Sequence, residues 1–508
     1  MKYLFILIGS LFIGCNQPKE TVIVTDKGKI EGSFNADKTV RIFKGIPFAA
    51  PPVGDLRWKA PQPAIAWDGI LPCIEFGPSP IQNVPEPFYC WTEEFIAKPE
   101  PINEDCLYLN VWTTAKSENE KQPVIVWIYG GGFTSGSANC DIYDGEELAK
   151  KGVVFVSMNY RVGVLGFMAH PELSKESGYD ASGNYGFMDQ IAALNWVQNN
   201  IEAFGGDSNN VTIAGQSAGS FSVNTLIASP LAQNIFHKAI LQSGGLLGSS
   251  RAQTLAEAEA TGIRFMEKAK ASSIKELRQL PAEELQSMSN DSEIGRVGIT
   301  KDGYVVPKDL MAYFKDGKQQ QIPVISGWVT GDGDFLGGDE ITVEEYREEA
   351  IANYGDKVAS FLTNFPADTN EDVKKMKSKL GMLNFAGIPS HLLAEYNTQP
   401  SYLYQFGHVP PEKQDFPNYG AFHTSEVPYA LHTLHTWNRD WKPSDKSIED
   451  ALSSYWVNFA KTGDPNGDNL PIWKTYNKQS GNIMVIEDNV LGSKEGFLKS
   501  ELDFLSEL

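Results

Sequence analysis

One serine in this chain sits where the backbone could turn it into a nucleophile. Gly215-Gln216-Ser217-Ala218-Gly219 follows the apolar run Val211-Thr212-Ile213-Ala214 and leads into a helix-compatible stretch ending at Leu226. A hydroxyl attacks an acyl carbon only when it is aimed, deprotonated by a base and matched by donors for the developing negative charge. A strand, tight turn and helix in this order would lift Ser217 above a sheet, with the helix N-terminus favouring negative charge beside it. Gly215 and Gly219 suit the turn, because strand and helix come too close there for a Cβ. Ser135 and Ser220 also lie near glycines, but neither follows a strand in the same way.

Three further features complete the chemistry. Trp127-Ile128-Tyr129 ends a strand and opens into Gly130-Gly131-Gly132-Phe133. Glycines at a strand end let main-chain N–H groups face a ligand, so the amides of Gly131, Gly132 and Ala218 are the expected oxyanion donors. No Lys-Ser/Thr pair follows, which removes a phosphate-loop reading. For the base, His423 lies in a late loop, residues 418–428, whereas His170, His237, His391 and His408 fall in or beside expected regular elements. His432 and His435 are three apart, a spacing open to a metal, but the sequence offers them no evident acidic or thiol partner. The acid should fall between nucleophile and base, after a strand. Asp332 does so, after Val324-Ile325-Ser326-Gly327, with Asp334 as the fallback. Asp332, Asp334, Asp339 and Glu340 do not match the oxygen-ligand spacing of a helix-loop-helix calcium site, so no metal is expected.

The elements that must hold these groups follow from hydropathy. Residues 107–112, 124–129, 153–159, 211–214 and 239–241 are short, mostly continuous apolar runs, as in strands buried on both faces. Phe187, Ile191, Leu194, Val197 and Ile201 recur at helical spacing between two of them. This alternation predicts an α/β fold with a largely parallel sheet. Residues 324–327, 402–406 and 484–486 add strands, and 448–461 a helix stopped by Gly463 and Pro465. Residues 251–300 and 341–397 are charged, helical insertions expected to cap one end of the sheet. The stretch from Thr21 to Ile30 suggests a hairpin at a sheet edge, and proline-rich 46–52 and 78–101 suggest irregular surface segments. No linker divides the chain, so 20–508 is expected to be one domain.

With 508 residues and a net charge of −21, the chain has a surface that repels nucleic acid and anionic lipid. Residues 1–15 stand apart: Met1-Lys2 precedes an apolar run from Tyr3 to Ile13, too short to span a bilayer, ending at Gly14-Cys15. This suggests a signal peptide of the bacterial lipoprotein type, with Cys15 acylated and the protein exported to the periplasm or anchored at the outer membrane. Export makes disulfides possible among Cys73, Cys90, Cys106 and Cys140, in three full pairings.

Several segments carry a family resemblance. Residues 43–54, Glu104-Asp105-Cys106-Leu107-Tyr108-Leu109-Asn110, Tyr129-Gly130-Gly131-Gly132-Phe133, Asn159-Tyr160-Arg161-Val162-Gly163, Phe204-Gly205-Gly206-Asp207 and the Ser217 turn resemble the type B carboxylesterases, which include bacterial carboxylesterases and cholinesterases. The resemblance implies an eight-stranded α/β-hydrolase sheet, hydrolysis of small-molecule esters through an acyl-enzyme, and no cofactor. It also implies buried pairs Arg57–Glu104 and Arg161–Asp189, and places Ser222 and Glu426 behind His423. The family commonly has Glu where Gln216 stands and a Glu acid where Asp332 stands. It also pairs the Cys106 position with a cysteine near Ser79-Pro80, absent here, leaving Cys90 as the nearest partner. Loss of charge at 216 and of a clear choline-binding tryptophan argues against cholinesterase activity. Two other readings stay open: a non-catalytic cholinesterase-like surface binding protein, and an esterase specialised for acylated polysaccharides or lipids.

Overall fold

The computed structural model describes residues 21–334, 341–413 and 417–508. Residues 1–20 with Cys15, and the acidic residues Asp339 and Glu340, lie outside the described residues. The strands in chain order are β1 (Val22–Val24), β2 (Lys29–Glu31), β3 (Ser33–Phe34), β4 (Arg41–Pro47), β5 (Ile70–Pro72), β6 (Tyr108–Thr113), β7 (Gln122–Ile128) and β8 (Val154–Met158). They continue as β9 (Gly206–Gln216), β10 (Lys238–Gln242), β11 (Gln253–Thr254), β12 (Thr300–Lys301), β13 (Val324–Val329), β14 (Ser401–Phe406), β15 (Ile483–Glu487) and β16 (Val490–Lys494).

Among the described residues eleven strands form one sheet in the order β16-β15-β14-β13-β10-β9-β7-β8-β6-β4-β3. The six neighbouring pairs from β8 through β15 are parallel, and both margins are antiparallel. Every residue of β8, β10, β13 and β14 is buried, which is why those runs are apolar at successive positions. The sheet thus exceeds the eight strands that the resemblance implied. The additions are antiparallel strands at the margins, one of them hidden in sequence by a bulge between Phe43 and Ile46. Ile46 and Pro47 therefore end a strand rather than open an irregular segment. The N-terminal hairpin β1-β2 forms, but it joins β5 in a separate three-stranded sheet.

The helical insertions occupy the expected stretches. Capping boxes start three of their helices: Thr254 with Glu257, Thr342 with Glu345, and Thr369 with Asp372. The helix Pro443–Thr462 begins earlier than its apolar pattern and ends on left-handed Gly463. Both implied ion pairs form as two-point contacts: Arg57 to Glu104 at 2.5 and 2.7 Å, Arg161 to Asp189 at 2.8 and 2.6 Å. Cys73, Cys90, Cys106 and Cys140 are all free and buried, so neither a Cys90–Cys106 bridge nor any other pairing of the four is present. Among the described residues no helix is long and apolar enough to cross a membrane.

Candidate active site

The turn after β9 is built around two glycines. A Cβ on Gly219 would meet the Ile128 carbonyl oxygen at 1.9 Å, and one on Gly215 would meet the Gly219 backbone at 2.5 Å. Between them Ser217 adopts φ 55°, ψ −123°, a strained conformation for a residue with a side chain, at the head of the helix Ala218–Ala228. Two main-chain bonds lock it: the Ser217 N–H donates to the Gln242 carbonyl, and its own carbonyl accepts from the Phe221 N–H, both at 2.9 Å. Its neighbours in the turn are buried, while Ser217 keeps some solvent exposure.

β7 ends beside this turn. A Cβ on Gly130 would lie 2.9 Å from the Gln216 carbonyl oxygen and 3.0 Å from the Ser217 Cβ. Gly131 (φ 109°) and Gly132 (φ 62°) follow in left-handed backbone and are exposed, next to the Ser217 turn. The loop is held from behind by Gln82, whose amide oxygen accepts from the Gly136 N–H at 2.8 Å and whose amide nitrogen donates to the Gly136 carbonyl at 2.9 Å.

Asp332 follows β13 and His423 lies in a loop after β14. The two loops are joined by main chain, with the Gly331 N–H donating to the Ala421 carbonyl at 2.9 Å. His423 Nδ1 and Asp332 Oδ1 are 2.6 Å apart, with Asp332 fully buried and His423 4% exposed. The Val329 N–H donates to the other Asp332 oxygen at 3.1 Å. The carboxylate therefore holds a proton on Nδ1, which leaves Nε2 able to accept one. Asp334 points elsewhere, accepting from the Ser378 hydroxyl at 2.5 Å. The Gln216 amide nitrogen, from the residue before Ser217, lies 3.2 Å from His423 Nε2. This contact sets the His423 ring against the Ser217 turn.

Behind the imidazole, Glu426 is buried, and Ser243 donates to its Oε1 at 3.4 Å. Burial, together with the charge of Asp332, pushes the Glu426 carboxyl up to about 8. Ser222 does not share this group: its hydroxyl donates to the Ala218 carbonyl at 2.9 Å and accepts from Gln190 at 3.0 Å. Ser243 fills the place expected of Ser222, because β10 pairs with β9 in a register that sets Gln242 against Gln216. Two rings wall the imidazole edge-on, Phe385 at 5.4 Å and Trp91 at 6.3 Å between centroids. Trp91 also donates to the Thr424 hydroxyl at 3.0 Å. His432 does have an acidic partner, Asp450 at 3.0 Å, brought by the long helix Pro443–Thr462. Among the described residues no group of three or more His, Cys, Asp or Glu could hold a metal.

A parallel α/β sheet with a serine on a strained turn and a buried His–Asp pair beside it has the architecture of an α/β-hydrolase. The model of the carboxylesterase family matches residues 19–505, and the chain belongs to that family. It is 36% identical over 497 residues to the fumonisin B1 esterase of Sphingopyxis macrogoltabida, covering 93% of this chain and 87% of the relative. It is 30% identical over 491 residues to the para-nitrobenzyl esterase of Bacillus subtilis, covering 92% and 95%. Among solved structures a PNB esterase superposes with a TM-score of 0.82 at 28% identity, covering 96% of this chain and 99% of that one. The chain is therefore a serine hydrolase that cleaves carboxylic esters.

Proposed function

We propose that Ser217, His423 and Asp332 are the catalytic residues of this esterase. The 2.6 Å contact between Asp332 and His423, held at the strained Ser217 turn, carries the reading. His423 Nε2 takes the hydroxyl proton as Ser217 Oγ attacks the ester carbonyl, and Asp332 holds the imidazole in the required tautomer. The amides of Gly131, Gly132 and Ala218 receive the oxyanion, each such donor contributing ~10²- to 10³-fold in rate. His423 then protonates the departing alcohol, and water repeats the cycle on the acyl-enzyme. The buried Asp332–His423 contact weighs against a non-catalytic binding protein, because it keeps a base and its orienting acid beside the serine turn. Ser217→Ala should lower turnover of p-nitrophenyl butyrate by about 10⁶-fold; retained turnover in that variant would overturn the assignment.

We also infer that residues 20–508 act as a single domain, and that residues 1–15 are a lipoprotein leader placing the enzyme in the periplasm or at the outer membrane through Cys15. The apolar run ending at Gly14-Cys15 supports this. Cell fractionation with a Cys15→Ser variant tests it: release from the membrane fraction is expected, and unchanged partitioning would contradict it.

A further inference from the structure

The small sheet of β1, β2 and β5 turns an apolar face to solvent. Strand register sets Val24 beside Lys29 and Lys29 beside Ile70, and likewise Val22 beside Glu31 and Glu31 beside Pro72. Side chains two apart on a strand share a face, so these residues lie on one side of the sheet. Ile74 continues the alternation of Ile70 and Pro72. The intervening residues Ile23, Ile30 and Cys73 are buried in the core. On the outward side Val24 is 64% exposed, Ile70 50% and Ile74 49%. A neighbouring loop adds Ile65, 76% exposed. Trp67 straps that loop to the hairpin: its main-chain N–H donates to the Lys27 carbonyl at 3.1 Å and its Nε1–H to the Lys29 carbonyl at 2.8 Å. Lys29 and Glu31 carry opposite charges within the two rows, so this face lacks the negative excess of the chain as a whole.

Exposed apolar surface costs roughly 25 cal/mol per Å², and a contiguous face of it marks a partner. The place of this face in the chain indicates which one. The described fold starts at Thr21, whose carbonyl accepts from the Gly32 N–H at 3.0 Å, directly before β1. Cys15 lies six residues before Thr21. Such a stretch reaches about 20 Å at most, whereas a folded chain of this length is about 60 Å across. A lipid on Cys15 therefore makes the small sheet the part of the protein nearest the bilayer.

We propose that the outward face of β1, β2 and β5 rests against the headgroup layer of a phospholipid bilayer, with Val24, Ile65, Ile70 and Ile74 as its contacting side chains. This rests on the reading of residues 1–15 as a lipoprotein leader, and adds to it a fixed orientation of the enzyme on the membrane. The Lys29 stem lies along the apolar face while its ammonium reaches a lipid phosphate. Anchor and face act together, since apolar area adds to the hold of an acyl chain.

The test places p-benzoylphenylalanine at Ile70 or at Ile472 of the full-length protein, in cells labelled with radioactive phosphate. Ile472 is 66% exposed but lies near β16, at the opposite end of the large sheet from β4, to which Ile74 is bridged. Irradiation should give a protein–phospholipid adduct from position 70 and none from position 472. Adding Val24→Glu/Ile74→Glu should lower the adduct from position 70 at least about 10-fold, because a carboxylate resists burial against lipid. Turnover of p-nitrophenyl butyrate should stay unchanged in that variant. An adduct undiminished by the two charges would overturn the apolar contact. Mass spectrometry of the N-terminal peptide reads acylation of Cys15 separately. An adduct from position 70 without acylation supports the face and removes the leader reading. Its absence in protein acylated at Cys15 overturns the face and leaves the leader reading standing, and absence of both overturns both. A crosslink from position 70 to a second copy of the chain, in place of lipid, also overturns the proposal.

Discussion

Glu426 offers a test in which structure dictates the sign of a pH effect. Its carboxyl is buried behind the imidazole, near Asp332, and is pushed from 4.5 to about 8. In the unfolded chain the group gives up its proton near its ordinary value, while in the folded protein it keeps the proton until about pH 8. Between those values the folded state binds more protons, so stability falls as pH rises, and above about 8 the full cost is present. Glu426→Gln keeps the shape of the neutral acid and cannot ionise. At up to ~1.4 kcal/mol for each unit of pH, less near the two ends, the variant should gain about 3 to 4 kcal/mol relative to the parent between pH 5 and pH 8. Urea unfolding of both proteins at the two pH values measures this directly. A stability difference that does not change with pH, or one that moves against the variant as pH rises, would refute the placement of a neutral carboxyl beside Asp332.

Other outcomes follow from the same geometry. Asp332→Asn should leave the fold intact but lower kcat by about 10⁴-fold, because the amide can hold the imidazole in the wrong tautomer; stopped-flow ester hydrolysis with a circular dichroism control checks it. Gln216→Glu sets a carboxylate 3.2 Å from His423 Nε2, where the amide nitrogen now lies. The added negative charge should raise the imidazole pKa and move the acid limb of the kcat/KM profile to higher pH. The four buried cysteines are free, with burial pushing Cys73, Cys90 and Cys140 up to about 12. They should react with a thiol reagent only after denaturation, and reductant should leave the melting temperature unchanged.

The site was legible in sequence wherever its chemistry leaves a local mark. Gly215 and Gly219 announce the turn because nothing larger fits against Ile128. Asp332 follows a run of six buried residues and sits between glycines, so its position could be read from strand length and turn composition. The continuous apolar runs likewise marked the central strands, parallel except for the run 107–112, which is β6 and pairs antiparallel with both neighbours. What could not be read is set by pairing between distant segments. Ser243 reaches Glu426 across 183 positions, through a strand register that no local pattern records. β4 was obscured because Gly45 and Pro47, residues of turns and edges, serve a bulge and a strand end there. Asp450 finds His432 only because a long helix folds back beside that loop.

The most direct measurement is covalent labelling with a fluorophosphonate, followed by peptide mapping. Such a probe reacts with a serine only when a base and oxyanion donors activate it. The structure predicts one modified residue, Ser217, with labelling lost in His423→Ala. Modification of a different serine, or an inert protein that is fully folded, would contradict the assignment of Ser217 as the nucleophile.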